Sequence, residues 1–346
     1  MIKNPPTLDE WRRLYEAAVR VKELAPWEWM MEEDIFGVQN PESQELGFVS
    51  VMGANGEHFA VAVYLGPQGL YGFLDLEEEG PDASPYRLFE VPQLQASFED
   101  RDTLQKEDRA VLKSLGLKFR GQNAWPMFRS IRPGFHPWFL EGWEARLLTC
   151  ALEQALDVTP RFEADPSLLG APEGEFFVRT PLKADVGIGW EDRVVRVPPP
   201  ALAPAPATVD DLTRRRLEGL SRGEQKLEVD VFMLPDACRE GKGRPFFPYC
   251  LMMVEARSGL VLFHDLLQPQ PSLEEMWRSV PLKVADQFAE VQMIPAEVRV
   301  CSEHLFDLLK PLAGAFRFKL KRVSALRTLE PAREMLMGFL MGGGAL

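Results

Sequence analysis

The sequence predicts an α+β protein of two domains, and three observations carry that prediction. Strand-like stretches come in groups flanked by helices, without the regular strand–helix alternation of a nucleotide-binding fold. The 346 residues exceed what one ordinary domain holds. VPPPALAPAPATV, at 197–209, alternates Pro and Ala with neither a helical nor a strand period and reads as an extended, semi-rigid connector. Pro160, Pro166, Gly170, Pro172 and Gly174 crowd together where a helical pattern stops, so the division is expected there. An N-terminal α+β domain then spans 1–160 and a second domain spans 161–346, connector included. EFFVRT (175–180) and RVVRV (193–197) become available to the second sheet.

The first element is a helix over 7–24, with Trp11, Leu14, Tyr15, Ala18 and Val21 on one face. Thr7 caps it, and Glu10 three residues on completes a capping box. DIFGVQ (34–39), ELGFVSVMG (45–53) and EHFAVAVYLG (57–66) read as strands, the last two joined through the turn-forming Ala-Asn-Gly. YRLFEV (86–91) is strand-like, 102–116 is a charged helix ending at Gly116, and 139–156 is a long helix. No GxGxxG and no GxxxxGK[ST] occurs, so neither phosphate loop is present.

In the second half KLEVDVFML (226–234), YCLMMVEA (249–256) and LVLFHDLL (260–267) are strands, the last two turned at Arg257-Ser258-Gly259. Both faces of that pair are apolar, which predicts central strands covered by helices. A helix over 272–292 follows, with Pro281 expected to kink or divide it. AEVRVC, SEHLFDLLKPLAG, AFRFKLKRV and LRTLEPAREMLMGFLM add strand, helix, strand and helix.

The order βββαβαβα is that of the RNase H-like fold, and the second domain resembles a degenerate version of it by element order. Separately, PWEWMMEEDIFGVQNPES, VSVMGANGEHFAVAVYLG, LGLKFRGQNAWPMFRSIRPGFHPWFLEGWEARLL and RPFFPYCLMMVEARSGLVL together resemble an uncharacterised two-domain family of bacterial proteins. That resemblance covers most of the chain and implies no activity.

Composition narrows the function. A net charge of −13 weighs against a nucleic-acid or anionic-membrane partner, because phosphate binding is driven by clustered Lys and Arg. Seven bases between Lys310 and Glu334 are the local exception, read as a solvated face. No run of about 18 apolar residues exists and the first residues form no signal pattern. Cys150, Cys238, Cys250 and Cys301 are widely spaced, so reduced thiols in the cytoplasm are expected.

An RNase H-like nuclease needs carboxylates that bridge two hard cations around a scissile phosphate. Asp230 on the first strand, Glu303 after the fourth and Glu334 on the last helix are the candidates, with magnesium as the cofactor. Acids at three such places are unremarkable in a chain with 52 of them. Cys301 and His304 have no acid to orient the imidazole, and a capping histidine beside a buried thiol is the preferred account. The aromatic stretch 119–143 carries several Arg residues, the composition of a binding hot spot as well as of a core. The favoured reading is a non-enzymatic interaction or regulatory protein with no cofactor and no metal. It holds an unknown protein partner through Arg129, Arg132 and Trp138, or through the surface near Arg244.

Overall fold

The computed structural model describes residues 4–80, 87–183, 188–200, 211–241 and 243–342. The chain divides into two compact units. The first holds Met1–Pro133, Pro137–Pro200 and Lys242–Arg244; the second holds Gly134–His136, Ala201–Gly241 and Pro245–Leu346.

The first unit opens with α1 (Leu8–Leu24), capped as its sequence requires: Thr7 Oγ accepts from the Glu10 amide at 3.2 Å, and Glu10 accepts from the Thr7 amide at 2.7 Å. β1 (Phe36–Gln39), β2 (Leu46–Met52) and β3 (Ala60–Leu65) follow. Then come α2 (Gly66–Glu79), β4 (Gln93–Glu99), α3 (Lys106–Leu115), β5 (Trp125–Ile131) and α4 (Gly142–Ala164). β6 (Glu175–Lys183) and β7 (Ile188–Arg196) complete a seven-stranded sheet in the order β5-β4-β3-β2-β1-β6-β7. α1 and α4 bury Leu14, Val21, Leu148 and Leu152 against one face, and α2 places Leu70 and Phe73 on the other.

Two expectations are corrected here. The strands β6 and β7 belong to the first sheet, so the first compact unit runs to residue 200 and not to 160. The physical reason is visible at Gly37, which lies beside Val178 in the parallel β1–β6 register. A Cβ on Gly37 would meet Val178 Cγ2 at 2.7 Å, so only glycine lets the two strands close up. Arg179 then reaches Gln154 on α4 at 3.0 Å and Asp157 at 3.3 Å. YRLFEV is a short 3-10 turn over Arg87–Glu90, and the strand comes after it, in β4. Of the proline-rich stretch, 201–209 lies outside the described residues; Val197 is buried and accepts a hydrogen bond from the Tyr71 hydroxyl at 2.7 Å.

The second unit contains α5 (Asp211–Leu217), β8 (Ser221–Arg222), β9 (Lys226–Met233), β10 (Tyr249–Glu255), β11 (Val261–Leu267) and α6 (Leu273–Glu290). β12 (Met293–Ile294), β13 (Glu297–Val300), α7 (Glu303–Phe316), β14 (Lys319–Arg322) and α8 (Glu330–Gly342) follow. Five strands form a sheet in the order β11-β10-β9-β13-β14; β9, β10 and β11 are antiparallel, while β13 runs parallel to both β9 and β14. The β10–β11 hairpin turns at Gly259, whose φ of 74° suits glycine.

Alternation along β10 sorts its side chains. Leu251 and Met253 meet α6 and α7, while Cys250, Met252 and Val254 lie on the side of α8. β10 is central, as its two apolar faces require; β11, expected to be central too, is an edge strand, with Leu266 60% exposed. α6 continues through Pro281, and α7 through Pro311. No helix of the described residues is long and apolar enough to cross a membrane.

Gly37→Ala is expected to destabilise the protein by about 1–3 kcal/mol, as an overpacked contact does. Adding Val178→Ala should recover most of that in denaturant unfolding. No recovery would mean that the β1–β6 approach does not set the fold.

Candidate functional site

β9 presents two acids, Glu228 and Asp230, two residues apart and therefore on one face of the sheet. Both are buried, on the side that α8 covers. A buried carboxylate needs donors, and the start of the last helix supplies them. Glu228 Oε2 accepts from the backbone N–H groups of Thr328 and Leu329, each at 2.9 Å. Asp230 Oδ2 lies 3.3 Å from Arg333 Nη1, and its other oxygen accepts from the Val231 amide at 2.9 Å. Arg333 is shared with Glu330, one turn before it on the helix. Burial pushes the Asp230 carboxyl above its usual range, and the Arg333 charge and the Val231 amide act against that rise.

The other two acids expected at a metal site are engaged elsewhere or stand in solvent. Glu303 begins α7 exposed and pairs with Arg322 at 2.7 Å. Glu334 is exposed on α8. Among the described residues no group of three His, Cys, Asp or Glu side chains could hold a metal ion. The residues present do not fit the magnesium pair expected of a nuclease: a guanidinium stands where the first ligand, Asp230, would meet a cation. Cys301 packs among the apolar residues on the α8 side, whereas His304 stands edge-on to Trp277 of α6 at 4.8 Å, so thiol and imidazole face apart.

The residues expected to bind a partner in the first unit are held by internal contacts. Arg129 is buried, forks onto both oxygens of Asp108 at 2.8 and 2.7 Å, and stacks 4.9 Å over Phe139. Arg132 reaches Glu144 at 3.0 Å and Glu141 at 3.2 Å. Ser130 donates to Glu144 at 2.7 Å, and the Ser130 and Trp138 backbones pair in an antiparallel bridge. Arg244 donates to the Ser130 hydroxyl at 3.3 Å and to its carbonyl. Burial, and then the neighbouring Arg132 charge, lowers the proton affinity of Arg244.

A surface with fewer internal partners lies in the second unit, between β11 and α8. A groove of about 930 Å³ has Met252 and Val261 on its sheet side and Met335 and Phe339 on its helix side. Met335 is 77% exposed and Phe339 76% exposed. The two lie one helical turn apart, on the edge of α8 that looks over β11 rather than over β9. The sequence holds a signal for this: MLMGFLM has more large apolar positions than one buried face of a helix can use.

Comparison with known families follows this division. Residues 11–179 match a family model described as Domain of unknown function (DUF7309), and residues 213–337 match one described as Domain of unknown function (DUF6930). The chain is a protein of two domains of unknown function. The first match ends within β6, and so passes the expected division at residue 160. The second begins in α5 and ends in α8, so it takes in β9, its two acids and most of the groove. No curated protein and no solved structure matches the chain.

Removing the cation from the Asp230 pair generates a prediction with a sign. The folded-state pKa of Asp230 is already raised, so ionisation costs stability as pH rises above the unfolded value of about 3.9. Arg333→Leu raises the folded pKa further. Variant and wild type should therefore converge below about pH 4 and separate as pH increases. At neutral pH the expected loss is about 1–3 kcal/mol, below the ~3–5 of a fully buried pair because Arg333 is partly exposed. Urea unfolding across pH checks it; a pH-independent difference would contradict the assignment.

Proposed function

We propose that the chain is a non-enzymatic interaction protein whose second domain is an RNase H-like scaffold without a metal site. The observation that carries this reading is the groove beside α8, where Met335 and Phe339 stand in solvent next to apolar residues of β10 and β11. Large apolar side chains gathered in a concave surface are the mark of a docking site, whereas single exposed ones are ordinary. The scaffold reading is supported by the order of the five-stranded sheet's strands and the helices between and after them, β9-β10-β11-α6-β13-α7-β14-α8, with α5 and the short β8–β12 pair as additions. The absence of catalysis is supported by the carboxylates, since Glu228 and Asp230 serve the last helix and Glu303 pairs with Arg322.

The partner is a protein. The net charge of −13 weighs against nucleic acid, and a membrane partner has no anchoring helix among the described residues. The cytoplasm is the compartment this reading assigns, in keeping with four cysteines that are all free.

Two measurements test the proposal. Incubation with single-stranded, double-stranded and hybrid nucleic acid in manganese is expected to give no cleavage; cleavage that disappears in Asp230→Asn would overturn the reading. An environment-sensitive apolar dye should gain fluorescence on the native protein and lose most of that gain in Met335→Asp/Phe339→Asp. Exposed positions change stability by no more than about 0.5 kcal/mol, so the melting temperature of that variant should stay close to wild type. Dye binding unaffected by the variant would remove the groove as the docking surface.

A further inference from the structure

The groove has a charge as well as an apolar floor. Arg257 and Arg327 line it where the β10–β11 turn faces the start of α8, His264 lies on its strand side, and neither Asp nor Glu lines it. In a chain with 52 acids and 39 Lys and Arg, a concave surface this size without a carboxylate is a local reversal of charge. Among the described residues neither arginine forms a salt bridge, and the Glu255 carboxylate attracts Arg257 without closing on it. Glu255, the acid nearest Arg257 in sequence, accepts from the amide and the hydroxyl of Ser258, each at 2.6 Å, and so is committed to the turn.

Most of the nearby basic cluster behaves differently. Lys310 pairs with Asp307, Lys321 with Glu297, Arg322 with Glu303 and Arg333 with Asp230. Arg327 is the member of that cluster which both lines the groove and is left unneutralised.

We infer that the groove between β11 and α8 receives an acidic polypeptide segment bearing large apolar side chains, with its carboxylates on Arg257 and Arg327 and its apolar residues between Met335, Phe339, Met252 and Val261. This rests on the interaction reading above and adds the chemistry of the partner. A second copy of the chain is a poorer occupant, because two bodies of charge −13 repel each other. Apolar burial supplies the attraction, and at contact the two guanidiniums select the sign of the segment.

The test uses the full chain and two fluorescein-labelled synthetic peptides, one repeating Glu-Leu-Phe-Asp and the other its Lys-Leu-Phe-Lys counterpart. Fluorescence anisotropy is expected to show binding of the acidic peptide, weakening as salt is added. The basic peptide should bind at least about tenfold more weakly, a difference of about 1.4 kcal/mol. Arg257→Glu/Arg327→Glu should cost the acidic peptide at least about tenfold while leaving the melting temperature near wild type. Met335→Asp/Phe339→Asp should abolish binding of either peptide. Equal affinity for both peptides, with loss in the Met335 and Phe339 variant, would overturn the acidic partner and leave the docking surface standing. Absence of binding by both overturns the inference. So does a dimer in sedimentation that Phe339→Asp dissociates, since that assigns the groove to a second copy. Metal-dependent cleavage is a separate outcome, which strikes the interaction reading itself.

Discussion

One carboxylate at the centre of the second unit ties its last helix to the middle strand of its five-stranded sheet. Glu228 is buried on β9 and accepts the two backbone N–H groups that lead into α8. Those amides have no intrahelical partner, and the positive end of the helix favours an anion there. Asp230, two residues on, adds a charge pair to the same helix through Arg333. The two acids thus fix where α8 starts and which side of it turns to the sheet. Ala332, Leu336 and Met337 then pack beside Cys250, Met252 and Val254. Once that side is committed, Met335 and Phe339 are left at the edge of the sheet, on the side of β11, and stand in solvent.

A position that suits a metal ligand by element order is in this way given over to structure. Asp230 lies where a nuclease acid was expected, but its neighbours are a guanidinium, a backbone amide and the phenyl ring of Phe232, 5.8 Å beneath Arg333. Two cations would have to displace that arginine and gather acids that lie on other elements. On the proposed reading the groove serves recognition, and Arg257 and Arg327 at one end of it would give that recognition a sign.

Much of the fold was readable because the relevant signals are local. The Thr7 and Glu10 capping box, the Arg257-Ser258-Gly259 turn and the alternation along YCLMMVE each involve a few neighbouring residues, and all appear as expected. What escaped depends on distant partners. β5, WPMFRSI, begins with a Trp-Pro pair that reads as a turn, and only β4 beside it makes it a strand. β6 joins the first sheet because Gly37, some 140 residues earlier, leaves room for Val178. The edge position of β11 was hidden because its apolar sequence resembles that of a central strand. The site divides in the same manner. Asp230 could be singled out from its strand, but that Arg333 would neutralise it, or that Arg129 would fork onto Asp108, is a fact of tertiary contact.

The central claim is that the β9 acids exist to hold α8. Hydrogen exchange of the native chain and of Glu228→Ala, followed by mass spectrometry of peptides covering 326–342, tests it most directly. Removing a cap of this kind costs about 1–2 kcal/mol, so the account predicts that the amides from Thr328 through α8 exchange roughly tenfold faster in the variant, while those of β9 and β10 keep their protection. Unchanged exchange in α8, or equal loss across the whole second unit, would contradict it.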